Sequence, residues 1–123
     1  MAKVYGTEEM IRKLLRIERA MEDAAVRSME RNAEQLTAMQ KRLVGKEELD
    51  LMNSIEWKPV DFKKGPGVQV TAGSLQAYYA RWHEHGTSTT SANPFFFGSY
   101  RALKRAMRGR TSRMVRYAMR KHL

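Results

Sequence analysis

Between residues 7 and 44, apolar side chains recur at three- and four-residue intervals: Ile11, Leu14, Met21, Ala25, Met29, Leu36, Met39 and Leu43. That spacing lays one apolar stripe along a helix. Thr7 is placed to cap its start, with Glu8 and Glu9 in the first turn, where the helix dipole favours negative charge. Lys41 and Arg42 suit the last turn, and Gly45 suits the stop. Glu8–Arg12, Glu9–Lys13 and Asp23–Arg27 are acid-before-base pairs one turn apart. No proline interrupts the run. At 1.5 Å per residue such a helix is about 57 Å long, whereas a compact domain of this size is about 35 Å across. The helix therefore either breaks, with Glu30-Arg31-Asn32 as the candidate place, or overhangs and packs on another subunit.

The pattern then changes from a helical to an alternating period. Residues 54–60 (Ser-Ile-Glu-Trp-Lys-Pro-Val) and 68–72 (Val-Gln-Val-Thr-Ala) each alternate apolar and polar, as half-buried strands do. The Gly65-Pro66-Gly67 cluster between them predicts a turn and hence an antiparallel hairpin. Residues 75–85 are rich in aromatics and predict a short helix, with a third strand as the alternative. Residues 86–91 are small or hydroxylated and predict a loop. Asn93 as cap and Pro94 at the first helical position open the last helical region. Phe96, Tyr100, Leu103 and Met107 follow at helical spacing, and Met114, Ala118 and Met119 continue the face past Gly109, a candidate break.

The predicted architecture is an α+β domain occupying residues 1–123. A long helix spans about 7–44, a small antiparallel sheet and a loop about 51–93, and C-terminal helices about 94–122. A chain of 123 residues has room for one modest core. It has no run of apolar residues long enough to cross a bilayer and no cysteine, which excludes disulfides and thiol chemistry. The first six residues lack a secretory signal's apolar segment, so the expected compartment is the cytoplasm or a particle assembled there.

Charge sharpens the picture. The net charge is +10, and residues 101–121 carry nearly all of it. Arg101, Lys104, Arg105, Arg108, Arg110, Arg113, Arg116, Arg120 and Lys121 occur there without a single Asp or Glu. Such asymmetry points to an anionic partner, whether nucleic acid, a membrane surface or an acidic protein face. The plainer reading is a solvated helix that keeps the protein soluble.

Catalytic chemistry finds little to stand on. His83-Glu84-His85 brings two imidazoles near each other, but residues two apart on a helix do not face one another. On a strand they would share a face, yet no third ligand is evident. There is no nucleophile elbow, and the acids lie mostly on the first helix, interleaved with bases. The glycines form neither a phosphate loop nor a dinucleotide fingerprint. No catalytic, cofactor-binding or metal-binding residue is predicted. Nor is a zinc finger, an RNA-recognition motif or a clear helix-turn-helix visible.

The stretch Tyr79-Ala80-Arg81-Trp82-His83-Glu84-His85-Gly86-Thr87, followed by Ala92-Asn93-Pro94-Phe95-Phe96, resembles the small tail-completion or head–tail joining proteins of lambda-like siphophages and related prophages. Tyr79, Ala80, Glu84, Gly86 and Thr87 match the first part of that family's motif. Ala92, Pro94 and Phe95 match the second, and Leu51 with Ser54-Ile55 matches the lead into the first strand. The resemblance covers roughly residues 51–107. It departs at His83, where an aliphatic residue is usual, at His85, where Phe is common, and at Phe97-Gly98-Ser99, which replaces a frequent Arg-Pro-Ala.

The resemblance implies a virion structural protein, assembled in the host cytoplasm and located at the neck or tail top. Copies would form a ring, sixfold by that resemblance, between the tail-tube or tail-terminator protein and the head connector. It implies no cofactor, no membrane and at most passing contact with genomic DNA. The motif residues read physically as a rigid corner. Gly86 turns the chain at positive φ, Thr87 sets the loop, and Pro94 starts the helix. Phe95 to Phe97 bury large apolar area, and Glu84 pairs with Arg81 or with a neighbouring subunit's arginine. Arg101, Arg105, Arg113, Arg116 and Arg120 are the candidate contacts of the basic end. A basic nucleic-acid-binding protein acting outside a virion is the alternative, and a small hydrolase or toxin a third reading.

Overall fold

A computed structural model describes residues 6–45, 48–73, 80–86 and 92–123. In chain order the elements are helix α1 (Thr7–Val44), helix α2 (Leu49–Ser54), strands β1 (Glu56–Phe62) and β2 (Gly65–Thr71), helix α3 (Ala80–His85) and helix α4 (Phe97–Lys121). The architecture is the α+β arrangement that the apolar periods predict.

Helix α1 runs unbroken through Glu30-Arg31-Asn32. Nothing in that stretch removes a backbone donor, and Asn32 is tied down by side-chain hydrogen bonds. Its cap differs from expectation: Gly6, at φ +84°, occupies the cap position, and Thr7 is already helical. Gly45 ends the helix at φ +84°, its N–H donating to the Lys41 carbonyl. Of the three predicted ion pairs only Glu8–Arg12 closes, at 3.6 Å and largely in solvent, where such a pair contributes little.

Helix α4 lies antiparallel against α1. Ser28 meets Thr111, Asn32 meets Met107, and Gln40 meets Phe96, so one sequence rises as the other falls. At the C-terminal end of α4, Lys121 and His122 line a hollow with Ala20 and Asp23, and Ile17 is the first buried residue of α1. Residues 7–16 of α1 consequently project beyond α4, and every one of them is exposed. That overhang is about 15 Å of helix.

The sheet is one antiparallel hairpin, with Trp57 opposite Val70 and Pro59 opposite Val68. Its turn is Lys63-Lys64 rather than the predicted Gly65-Pro66-Gly67. Those three residues instead begin β2, where the Phe62 ring covers the Cβ-less face of Gly67. The strand expected to begin at Ser54 begins at Glu56, because residues 49–54 form α2. A short helix of one and a half turns carries too few apolar repeats to distinguish itself from the start of a strand.

The compact core joins elements distant in sequence. Leu51, Ile55, Phe95 and Val44 are buried together, with Met52, Ala72, Ala80 and Phe96 packed on them. Ser54 completes the link by accepting a hydrogen bond from the Gly73 N–H at 2.9 Å. The C-terminal region is a single helix, not several: α4 passes Gly109 without a break. Among the described residues no helix is long and apolar enough to cross a membrane.

Candidate functional site

Three features stand out: the corner where α3, the 92–96 segment and α4 meet, the outer face of α4, and the exposed N-terminal stretch of α1.

At the corner, Glu84 is buried. One carboxylate oxygen accepts from the Phe96 N–H at 2.8 Å and the other from the Phe97 N–H at 3.0 Å. Those are the amides at the mouth of α4, which the helix itself leaves unsatisfied. Negative charge is favoured there by the helix dipole, and hydrogen bonds to a charged acceptor are the stronger kind. Glu84 thus serves as the cap of α4 from another helix. The expected pairing with Arg81 falls on a side chain outside the described residues; the backbone amides of Phe96 and Phe97 are the partners that the described residues supply.

The predicted cap residue has a different duty. Helix α4 begins at Phe97, not at Pro94, and the Asn93 side chain donates to the Leu43 carbonyl at 3.1 Å. Gln40 donates to the Phe96 carbonyl at 3.2 Å. The end of α1 therefore grips the corner from both sides. Ser99 adds an internal bond to the Phe95 carbonyl. Phe95 is fully buried and Phe96 partly so, but Phe97 is half exposed, so the expected burial of all three rings holds for the first two only.

Gly86 adopts φ +78°, the left-handed value expected of it, and its N–H closes α3 on the Trp82 carbonyl at 2.7 Å. Ala80 joins the core, and Pro94 is exposed beside Gly98. Tyr79 and Thr87 lie outside the described residues, as do the side chains of Arg81 and His83.

The basic residues separate into two groups. Arg110 turns inward and donates to Asn32 Oδ1 at 2.8 Å. Arg101, Arg105, Arg113, Arg116 and Arg120 are all exposed, as are Lys104 and Arg108. At 3.6 residues per turn, Arg101, Arg105, Arg108, Arg116 and Arg120 form one ridge about 28 Å long, with Arg113 at its edge on the side of Arg120. It lies opposite the side of α4 that buries Met107 and Ala118. Among the described residues, no acid lies within ion-pair distance of any cation of α4.

Among the described residues no group of three or more His, Asp or Glu side chains could hold a metal. Comparison with family models, with curated proteins and with solved structures returns no match.

Sequence reasoning located the corner but missed what holds it. Ser28, Asn32 and Gln40 are polar residues on the side of α1 turned toward α4. Asn32 donates to Thr111 Oγ1 at 3.1 Å and to the Met107 carbonyl at 3.4 Å, while the Ser28 and Thr111 hydroxyls are bonded at 3.0 Å. The available signal was their spacing, since Ser28, Asn32 and Gln40 continue the helical rows of the apolar stripe.

Proposed function

We propose that this chain is a virion structural protein of a tailed phage: a head–tail joining or tail-completion component whose copies form a ring linking and sealing the tail to the head connector. One observation carries the reading. The described residues that give the chain its resemblance to that family are mostly spent on architecture. Glu84 caps α4 with both oxygens, Phe95, Leu51 and Ile55 make the core, and Ser54 ties the hairpin's end. What remains on the surface suits large partners: a bare cation ridge and a projecting helix end with exposed apolar residues. The protein is not an enzyme in this reading. The ridge meets an acidic face of a neighbouring ring, guanidinium forks on carboxylates.

The test is head–tail joining in an extract that lacks the protein. Wild type restores joining, and the triple variant Arg113→Glu/Arg116→Glu/Arg120→Glu does not. Joining that proceeds equally well with the triple variant counts against the proposed role of the ridge.

A second reading, a nucleic-acid-binding protein acting outside a virion, draws on the same ridge. Binding that rests on phosphate contacts weakens steeply as salt rises, because each contact releases counterions. Duplex titrations across a salt series separate the two. The neck reading expects negligible binding at physiological salt, and tight, length-dependent binding there promotes the alternative.

A further inference from the structure

An open groove of about 840 Å3 lies between α1, β2 and α4. Its α1 wall runs from Met29 to Gln40, about 16 Å along the helix. Leu36, Val68, Val70 and Met107 make the lining apolar, and Phe97 and Tyr100 stand half exposed on its α4 side. Lys104 and Arg108 border it, and among the described residues no acid does.

The prolines of the hairpin determine which main-chain groups β2 leaves unpaired. Pro59 and Pro66 have no N–H to give to the ladder. Pro59↔Val68 and Asp61↔Pro66 are therefore pairs whose main-chain groups point away from the partner strand. The two-residue turn Lys63-Lys64 requires the same parity, since its closing pair, Phe62↔Gly65, is a hydrogen-bonded one. Pairs alternate, so Trp57↔Val70 is also turned outward. The free edge of β2 thus carries the N–H and C=O groups of Val68 and Val70, the two β2 residues that line the groove. Among the described residues no hydrogen bond outside the ladder reaches them. The two edges of the hairpin are not equivalent. Pro59 interrupts the middle of β1, where a proline protects an edge from pairing, whereas Pro66 stands near the start of β2 and leaves Val68 and Val70 open.

We propose that the groove takes an extended segment of a neighbouring protein, which adds to the free edge of β2 as a third strand and carries apolar residues at alternate positions with acidic residues between them. Three relationships select this occupant. Unpaired main-chain groups along one wall are met by a strand and not by a helix, whose own groups are already used. Lengths agree, since a wall of about 16 Å takes about five residues of extended chain. Side chains of an added strand alternate between the two faces of the sheet. Those on the side of Val68 and Val70 enter the apolar lining, and the others stay at the rim, where carboxylates complement Lys104 and Arg108. The hairpin gains from the addition, because two strands alone are marginal. The β1 strand of another copy is a poor donor, because Pro59 removes the central N–H of its edge. The strand site stands on the fold alone; its setting, a neighbouring protein of the neck, rests on the proposed function.

The probe is a labelled seven-residue peptide in which Glu and Val alternate. Saturable binding to the full chain is expected by fluorescence anisotropy. In wild type the peptide should slow hydrogen exchange at the Val68 and Val70 amides at least about tenfold, a readout that needs no variant. Val70→Pro removes an outward donor and no ladder bond, so it should keep its circular dichroism spectrum and bind at least about tenfold more weakly. N-methylation of the peptide backbone should weaken binding to wild type as much. Lys104→Glu/Arg108→Glu should also weaken it, and should favour the peptide with Lys in place of Glu. Val68 and Val70 amides already protected in the free protein overturn the proposal, as does undiminished binding of the N-methylated peptide or no saturable binding at all. So does self-association that Val70→Pro abolishes, which would mean that a second copy holds the edge. The neck reading fails separately. A Val70→Pro protein that has lost the peptide and still restores head–tail joining keeps the strand site and removes it from the neck. A wild type that restores joining without taking the peptide overturns the strand site alone.

Discussion

Glu84 and Phe97 are thirteen residues apart in sequence and joined by a 3.0 Å hydrogen bond from the Phe97 amide to a buried carboxylate oxygen. With the neighbouring bond from Phe96, this pair sets where α4 begins and the angle at which it leaves the corner.

Removing the carboxylate leaves two amides at a helix mouth without an acceptor. Glu84→Ala should destabilise the protein by about 3 kcal/mol, from the cost of unsatisfied groups and the loss of charged hydrogen bonds. Glu84→Gln retains one acceptor oxygen and should lose roughly half as much. Urea unfolding of the two variants checks the order. Equal, near-zero losses would mean that the amides find other partners.

Adjacent rings should respond very differently. Phe95 is 1% exposed, against Val44, Leu51 and Ile55, and Phe95→Ala should cost about 3–5 kcal/mol. Phe97 is half exposed, so Phe97→Ala should leave the unfolding midpoint nearly unchanged. Comparable losses from both would contradict the burial described for them.

Two glycines should respond with opposite sign. At Gly86, φ is +78°, and a Cβ in the left-handed region costs about 1–2 kcal/mol. Gly109 lies inside α4, where an added Cβ would meet only the mobile end of Arg113 at 3.2 Å. Gly86→Ala should therefore lower stability, and Gly109→Ala should raise it by about 1 kcal/mol. Thermal melts of the two proteins provide the comparison.

The polar cluster between α1 and α4 should behave as a unit. Asn32 holds Thr111, the Met107 carbonyl and Arg110, and Asn32→Ala should cost about 2 kcal/mol. In a double-mutant cycle with Thr111→Val, the coupling should be about 1 kcal/mol. Additive losses would show that the two residues act independently.

Local rules were enough for much of this molecule. The 3.6-residue period determined α1 and α4, and alternation determined the two strands, because each element needs one continuous apolar face. Gly45 and Gly86 were legible as positive-φ positions, since no side chain competes there. The cation ridge was legible in part: composition located it, but not its division into outward arginines and the inward Arg110, which depends on Asn32 being opposite. What local rules could not determine were boundaries and partners. Gly65-Pro66-Gly67 has the composition of a turn, yet it extends β2 because strand pairing with β1 and the cover of Phe62 outweigh propensity. Asn93 and Pro94 form a self-sufficient helix start on paper. Tertiary structure moved the start to Phe97, because Glu84 supplies a charged acceptor there and Leu43 claims the Asn93 side chain. The overhang was foreseen as one of two outcomes of helix length. Only the placement of α4 left residues 7–16 exposed while Ile17 is buried, since exposure of a helix face depends on where its neighbour stops.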